Sequence, residues 1–135
     1  MKYLIFGKPG KNYPTDRLYN VATNETEMQS IIDSLNDVGI TTKIVTEKEY
    51  FKNCNDFEEQ LYRTLDALGG FSEILDHGAV LVSISIRGDW KHEHLHCDHI
   101  LSKLFDMRHI NDITTESDGS DYYTSTHYYI REKAS

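Results

Sequence analysis

The sequence predicts an α+β fold: a two-layer sandwich with a mixed, mostly antiparallel sheet of about six strands and about three helices on one face. Three observations predict it. Strand-like runs alternate with capped amphipathic helical segments, residues 79–86 form an apolar run suited to the middle of a sheet, and the chain ends in a tyrosine-rich hairpin. At 135 residues the chain is the size of one compact domain, taken as residues 1–135.

"KYLIFGK" and "RLYNVAT", separated by the Gly-, Pro- and Asn-rich "PGKNYPTD", read as a hairpin with a long loop. Asn24 with Glu27 forms a capping box, the carboxylate returning to the cap amide. Met28, Ile31, Ile32, Leu35 and Val38 then recur at helical spacing until Gly39 supplies a left-handed cap. "TTKIV" returns as a strand, followed by a polar connection. Asp56 with Glu59 is a second capping box, and Phe57, Leu61, Leu65 and Leu68 form one apolar stripe ended by Gly69 and Gly70. "FSEIL" reads as a short helical turn. In "GAVLVSISI", Val80, Val82, Ile84 and Ile86 share one face while Ala79, Leu81, Ser83 and Ser85 share the other, as expected of a strand flanked on both sides. After Gly88 and Asp89 comes a histidine-rich helix. "INDITT", the turn "ESDGSD" and "YYTSTHYYI" complete the hairpin.

Charge narrows the function classes. The net charge is −8, and residues 53–76 carry six acids against one arginine. This disfavours direct binding to a nucleic-acid backbone, which needs a basic surface. No apolar run approaches the roughly 20 residues that span a bilayer, so no membrane association is expected. Two cysteines, Cys54 and Cys97, without C-x-x-C spacing, point to free thiols and a cytoplasmic setting.

The densest chemistry lies in "DWKHEHLHCDHILSKLF". His92-Glu93-His94-Leu95-His96 spells H-E-x-x-H and so resembles the motif of zinc metallopeptidases. There, two histidines one helical turn apart hold the metal and the glutamate acts as general base. That resemblance implies a zinc hydrolase with His92, His96 and, twenty residues on, Glu116 as ligands, and Glu93 as base. Helical phase argues against it. His92, His96, His99 and Lys103 form one stripe, whereas Cys97, Ile100, Leu101, Leu104 and Phe105 form another about 140° away. Burying the apolar stripe turns the imidazoles to water, whereas a catalytic zinc occupies a shaped, partly dry cavity. The expectation is therefore no cofactor, with zinc as the alternative.

In the last strand Tyr123, Ser125, His127 and Tyr129 alternate onto one face, a pattern suited to a ligand pocket or an interface. The leading expectation is a small, acidic, non-enzymatic binding protein. It would regulate or inhibit a basic protein partner, such as a nucleic-acid-handling enzyme, and could be encoded by a phage or mobile element. Glu58, Glu59 and Asp66 would contribute the acidic surface, and Tyr123, His127 and Tyr129 the aromatic one. A small-molecule module built on Tyr123 and His127 is a further alternative. A sheet edge leaves a homodimer open.

Overall fold

The computed structural model describes residues 1–8, 16–68, 72–77, 82–88, 91–117 and 121–133; side-chain surroundings are described for 1–8, 16–68, 97–112 and 126–133. The chain divides into two compact units, Met1–Leu68 and Gly69–Ser135.

The first unit runs β1 (Tyr3–Gly7), β2 (Arg17–Ala22), α1 (Glu25–Asp37), β3 (Thr42–Thr46), α2 (Glu47–Phe51) and α3 (Phe57–Ala67). Its three strands are ordered β2-β1-β3, with β1 antiparallel to both neighbours. The expected order of strand, strand, helix and strand is present. Leu4, Ile5, Leu18, Val21 and Ala22 are fully buried, so the middle strand is apolar on both faces. Strand alternation puts Tyr3, Ile5 and Gly7 on one face and Leu4 and Phe6 on the other. The first face meets α1: the Tyr3 hydroxyl donates to Glu25 at 3.5 Å, and a Cβ on Gly7 would stand 2.7 Å from Ile40 Cγ2. The second face meets α2, where the Phe6 and Tyr50 rings lie 5.4 Å apart. Helices therefore flank both faces of this sheet rather than one.

Both capping boxes form, each with the same modification. Asn24 Oδ1 accepts from the Glu27 N–H at 2.8 Å, but the Glu27 carboxylate bonds Thr23, one residue upstream of the cap. Asp56 Oδ1 accepts from the Glu59 N–H at 3.0 Å, and Glu59 returns to the backbone and side chain of Asn55. Replacing Asp56 by alanine orphans an N-terminal amide and is expected to cost about 1 kcal/mol in urea unfolding. At the other end of α1, Gly39 adopts φ +83°. Ile40 N–H reaches Leu35 O and Gly39 N–H reaches Asn36 O, which is a Schellman closure. The α1 stripe lies shallower than its periodicity suggests. Met28, Ile31, Ile32 and Leu35 are only half-buried, and Val38, past the last helical turn, is 71% exposed. The α3 stripe is deeper: Leu61, Leu65 and Leu68 are buried, with Thr64 beside them donating its hydroxyl to Gln60 O.

The second unit runs β4 (Ser72–His77), β5 (Val82–Gly88), α4 (Lys91–Leu104), β6 (Phe105–Ser117) and β7 (Asp121–Glu132). Its strands are ordered β4-β5-β7-β6, all antiparallel. Strand β5 has a hydrogen-bonded neighbour on each side, the interior position expected of it. Cys97, Ile100, Leu101 and Leu104 of α4 are buried, together with Phe105, Tyr128 and Ile130. His99 is exposed.

The α+β class stands, but the sheet differs from expectation. Among the described residues, seven strands form two antiparallel sheets of three and four strands instead of one mixed sheet of about six, with four helices. Three local expectations change with it. "FSEIL" is not a helical turn: Ser72–His77 is strand β4. The connection after β3 contains the short helix α2. Phe105 opens β6 instead of closing α4. The two sheets share one device. In each, a helix joins two mutually parallel strands that straddle a central antiparallel one: β2 and β3 around β1, and β5 and β6 around β7.

Candidate functional site

In the first unit a cleft of about 970 Å³ is lined by β3, α2 and α3, with Phe6 and Asp16. Tyr50 organises it. Its ring packs on Phe6 and on Phe51, whose centroid is 5.2 Å away, and the Arg63 guanidinium lies 4.6 Å above it. Its hydroxyl donates to Arg63 O at 3.2 Å, tying α2 to α3. Burial pushes the Tyr50 hydroxyl above its ordinary pKa, with Arg63 pulling the other way. Tyr50 is held there by a short capped helix: Thr46 Oγ1 accepts from Glu49 N–H at 3.2 Å, and Glu49 pairs with Lys52 at 3.1 Å. The Arg63 cation over an aromatic face adds about 0.5–1 kcal/mol at such a partly wet site.

The β3 side of the cleft has an informative pattern. A strand face contributes alternate residues, yet Lys43, Ile44, Val45 and Thr46 all line this cleft. Consecutive residues reach one cavity only where it wraps the strand's edge, and β3 is the terminal strand of its sheet. The hydrogen-bond phase shows which backbone groups lie there. Glu47 N–H donates to Lys2 O at 2.9 Å. In that phase Leu4 with Val45 and Phe6 with Lys43 are the hydrogen-bonded pairs of the β1–β3 ladder. The alternation of antiparallel pairing then turns the N–H and C=O groups of Thr42, Ile44 and Thr46 away from β1. The charged side chains of the lining are Lys43 and Arg63 against Asp16, Glu49 and Asp66, all five exposed.

Of the acidic residues expected to bind, Asp66 lines this cleft. Glu59 is engaged in its capping box and Glu58 is half-buried; neither lines the cleft. Tyr50, Arg63 and Lys43 were not marked by sequence reasoning. The Thr46-x-x-Glu49 spacing, a helix-start signature, could have announced the helix that carries Tyr50.

In the second unit, His127 and Tyr129 are half-buried on the sheet face opposite Tyr128 and Ile130. Arg108 lies 4.9 Å over the Tyr129 ring, and Arg131 Nε is 3.8 Å from Asp106. With Met107 these residues line a cleft of about 600 Å³. His127 sits opposite Ser85 of β5 and Asn111 of β6. The side chains of Tyr123, His92, His96 and Glu116 lie outside the described residues, and the backbone alone places them. His92 and His96 are one turn apart in α4, and Glu116 is opposite Tyr122 near the far end of β6. From the junction at Leu104 and Phe105, His92 lies about 18 Å back along the helix. Glu116 lies about 36 Å along the strand. Through β7, however, the registers set Thr114 level with Gly88, the end of β5 that leads to α4, with Glu116 two residues beyond. Among the described residues no group of three His, Cys, Asp or Glu is placed to hold a metal. Cys97 is buried and Cys54 half-buried, both as free thiols. No described helix is long and apolar enough to cross a membrane.

No known family's model matches the chain, and no curated protein or solved structure is significantly similar to it.

Proposed function

We propose that this is a non-enzymatic binding protein whose first unit captures an extended, basic segment of a partner protein along β3. The observation that carries this reading is the cleft that wraps the β3 edge, where the outward amides and carbonyls of Thr42, Ile44 and Thr46 adjoin an aromatic wall. A strand added there gains main-chain hydrogen bonds from the edge and side-chain specificity from the cleft. Phe6 and Tyr50 offer a surface for one apolar side chain. Asp16, Glu49 and Asp66 outweigh Lys43 and Arg63 in the lining and favour a lysine or arginine nearby, with Arg63 drawn onto Tyr50 and Glu49 onto Lys52. Capture of this kind suits a regulator or inhibitor of a basic protein. The net charge of −8 would speed the encounter at low salt, and two free cysteines accord with a cytoplasmic setting. The exposure of His99, which shares a helical stripe with His92 and His96, favours this reading over a zinc hydrolase.

The test uses an array of synthetic peptides alternating apolar and basic residues, with acidic counterparts as controls. Basic peptides are expected to bind and to lose about tenfold in affinity on Asp66→Lys. Methylating the amides of the bound peptide at alternate positions should abolish binding in one phase and spare it in the other, because only one phase faces β3. Ile44→Pro removes an outward donor without touching the β1 ladder and should also abolish capture, while Ile44→Val retains it. Equal binding of acidic and basic peptides, or indifference to the methylation phase, would refute the reading.

A further inference from the structure

The structure assigns the β6 edge of the second sheet a different occupant: a second copy of this chain. Strand β6 terminates the β4-β5-β7-β6 sheet. Its cleft is again lined by consecutive residues, Asp106, Met107 and Arg108, so it too wraps a strand edge. A closed dimer requires this edge to complement itself about a two-fold axis. Antiparallel pairing of two β6 strands centred on Met107 sets Asp106 opposite Arg108 of the second copy, and Arg108 opposite its Asp106. Met107 then meets Met107. In cross-strand pairs, opposite charges attract and like charges directly opposite destabilise.

Neighbouring registers lack this match. Centring on Asp106 opposes two carboxylates, and centring on Arg108 opposes two guanidinium groups. Centring on His109 brings Asp106 against Asp112. Centring on Ile110 falls on the irregularity between His109 and Asn111, where the ladder is broken. Among registers centred on residues 106–110, the charges of β6 therefore favour one self-pairing. Charge on an edge strand ordinarily repels any incoming strand; here the paired opposite signs admit a copy in one register.

The intrachain contacts allow this arrangement. Asp106 and Arg108 point to the same face as Tyr129 and Arg131, which they contact. That face is opposite the one bearing buried Phe105, Tyr128 and Ile130. Two sheets joined through β6 would therefore continue the buried face through Met107 and the charged face through Asp106 and Arg108. This assignment rests on β6 alone and stands independently of what the β3 groove binds.

Sedimentation of the full chain over a wide concentration range tests the assignment. The wild type should sediment at twice the 15.6 kDa chain mass. Arg108→Asp, which leaves the Asp106–Arg131 pair in place, should weaken self-association about tenfold or more, as should Asp106→Arg. The double exchange Asp106→Arg with Arg108→Asp should restore the dimer, because the pairs re-form with signs reversed. Circular dichroism confirms that each variant is folded. A wild type monomeric at every concentration, or a folded double exchange that dimerises no better than the single variants, overturns the assignment.

Discussion

Leu101→Ala is expected to lower the unfolding free energy by about 2–5 kcal/mol, while His99→Ala, two residues away on the same helix, should change it by no more than about 0.5 kcal/mol. Leu101 is fully buried and His99 exposed, so α4 presents opposite environments within one turn. The cost has two parts: the lost transfer energy of the truncated side chain and the cavity it leaves among well-packed neighbours. Against a total stability of about 5–15 kcal/mol this is a severe lesion. Urea unfolding of the two variants measures it directly. The comparison also tests the orientation of the helix, since Cys97, Ile100, Leu101 and Leu104 are the residues that face inward. Similar losses from both substitutions would mean that α4 is not seated on this stripe.

The parts of the fold legible in the sequence were those encoded within a few residues. Asn24 and Asp56 announce helix starts because a cap needs only a side-chain oxygen three residues before an amide. Gly39 announces a stop because glycine adopts positive φ without strain. The two apolar or small faces of residues 82–86 announce an interior strand. Strand β4 was missed for a physical reason. Its pairing with β5 shifts register between Ile74 and Asp76, so Leu75 falls out of the alternation that marks a strand. Phe105 misled because it is buried whether it closes the helix or opens the strand. A five-residue α2 shows too little periodicity to be seen, which hid Tyr50. Division into two sheets is written in no local stretch, because pairing joins strands distant in sequence. The first-unit cleft is hidden likewise: Phe6, Lys43, Tyr50 and Arg63 come from β1, β3, α2 and α3 and share no motif. The second was partly visible, since alternation alone marks the face of β7 that carries Tyr129, one of its lining residues.

Alkaline pH should destabilise the protein through Tyr128, and Tyr128→Phe should remove that sensitivity. The ring is 8% exposed. Burial first, then the charges of Asp98 and Asp112 and a hydrogen bond to Asp98, hold the hydroxyl far above its ordinary range. A tyrosine in the unfolded chain ionises near pH 10. The folded state therefore keeps a proton that the unfolded state releases. Its contribution is fully present below about pH 10 and declines as pH rises toward the folded-state value. Tyr50 is raised in the same direction, though Arg63 opposes the shift there, so Tyr128 should dominate the difference. At pH 8 the phenylalanine variant should be less stable by about 1 kcal/mol, because Asp98 loses a donor. Above pH 10 the gap should close and then reverse, because the variant has no phenol to ionise at that site. Thermal melts of both proteins from pH 8 to 12 measure the crossing. Parallel curves across that range would show that the Tyr128 hydroxyl ionises as readily in the folded chain as in the unfolded one.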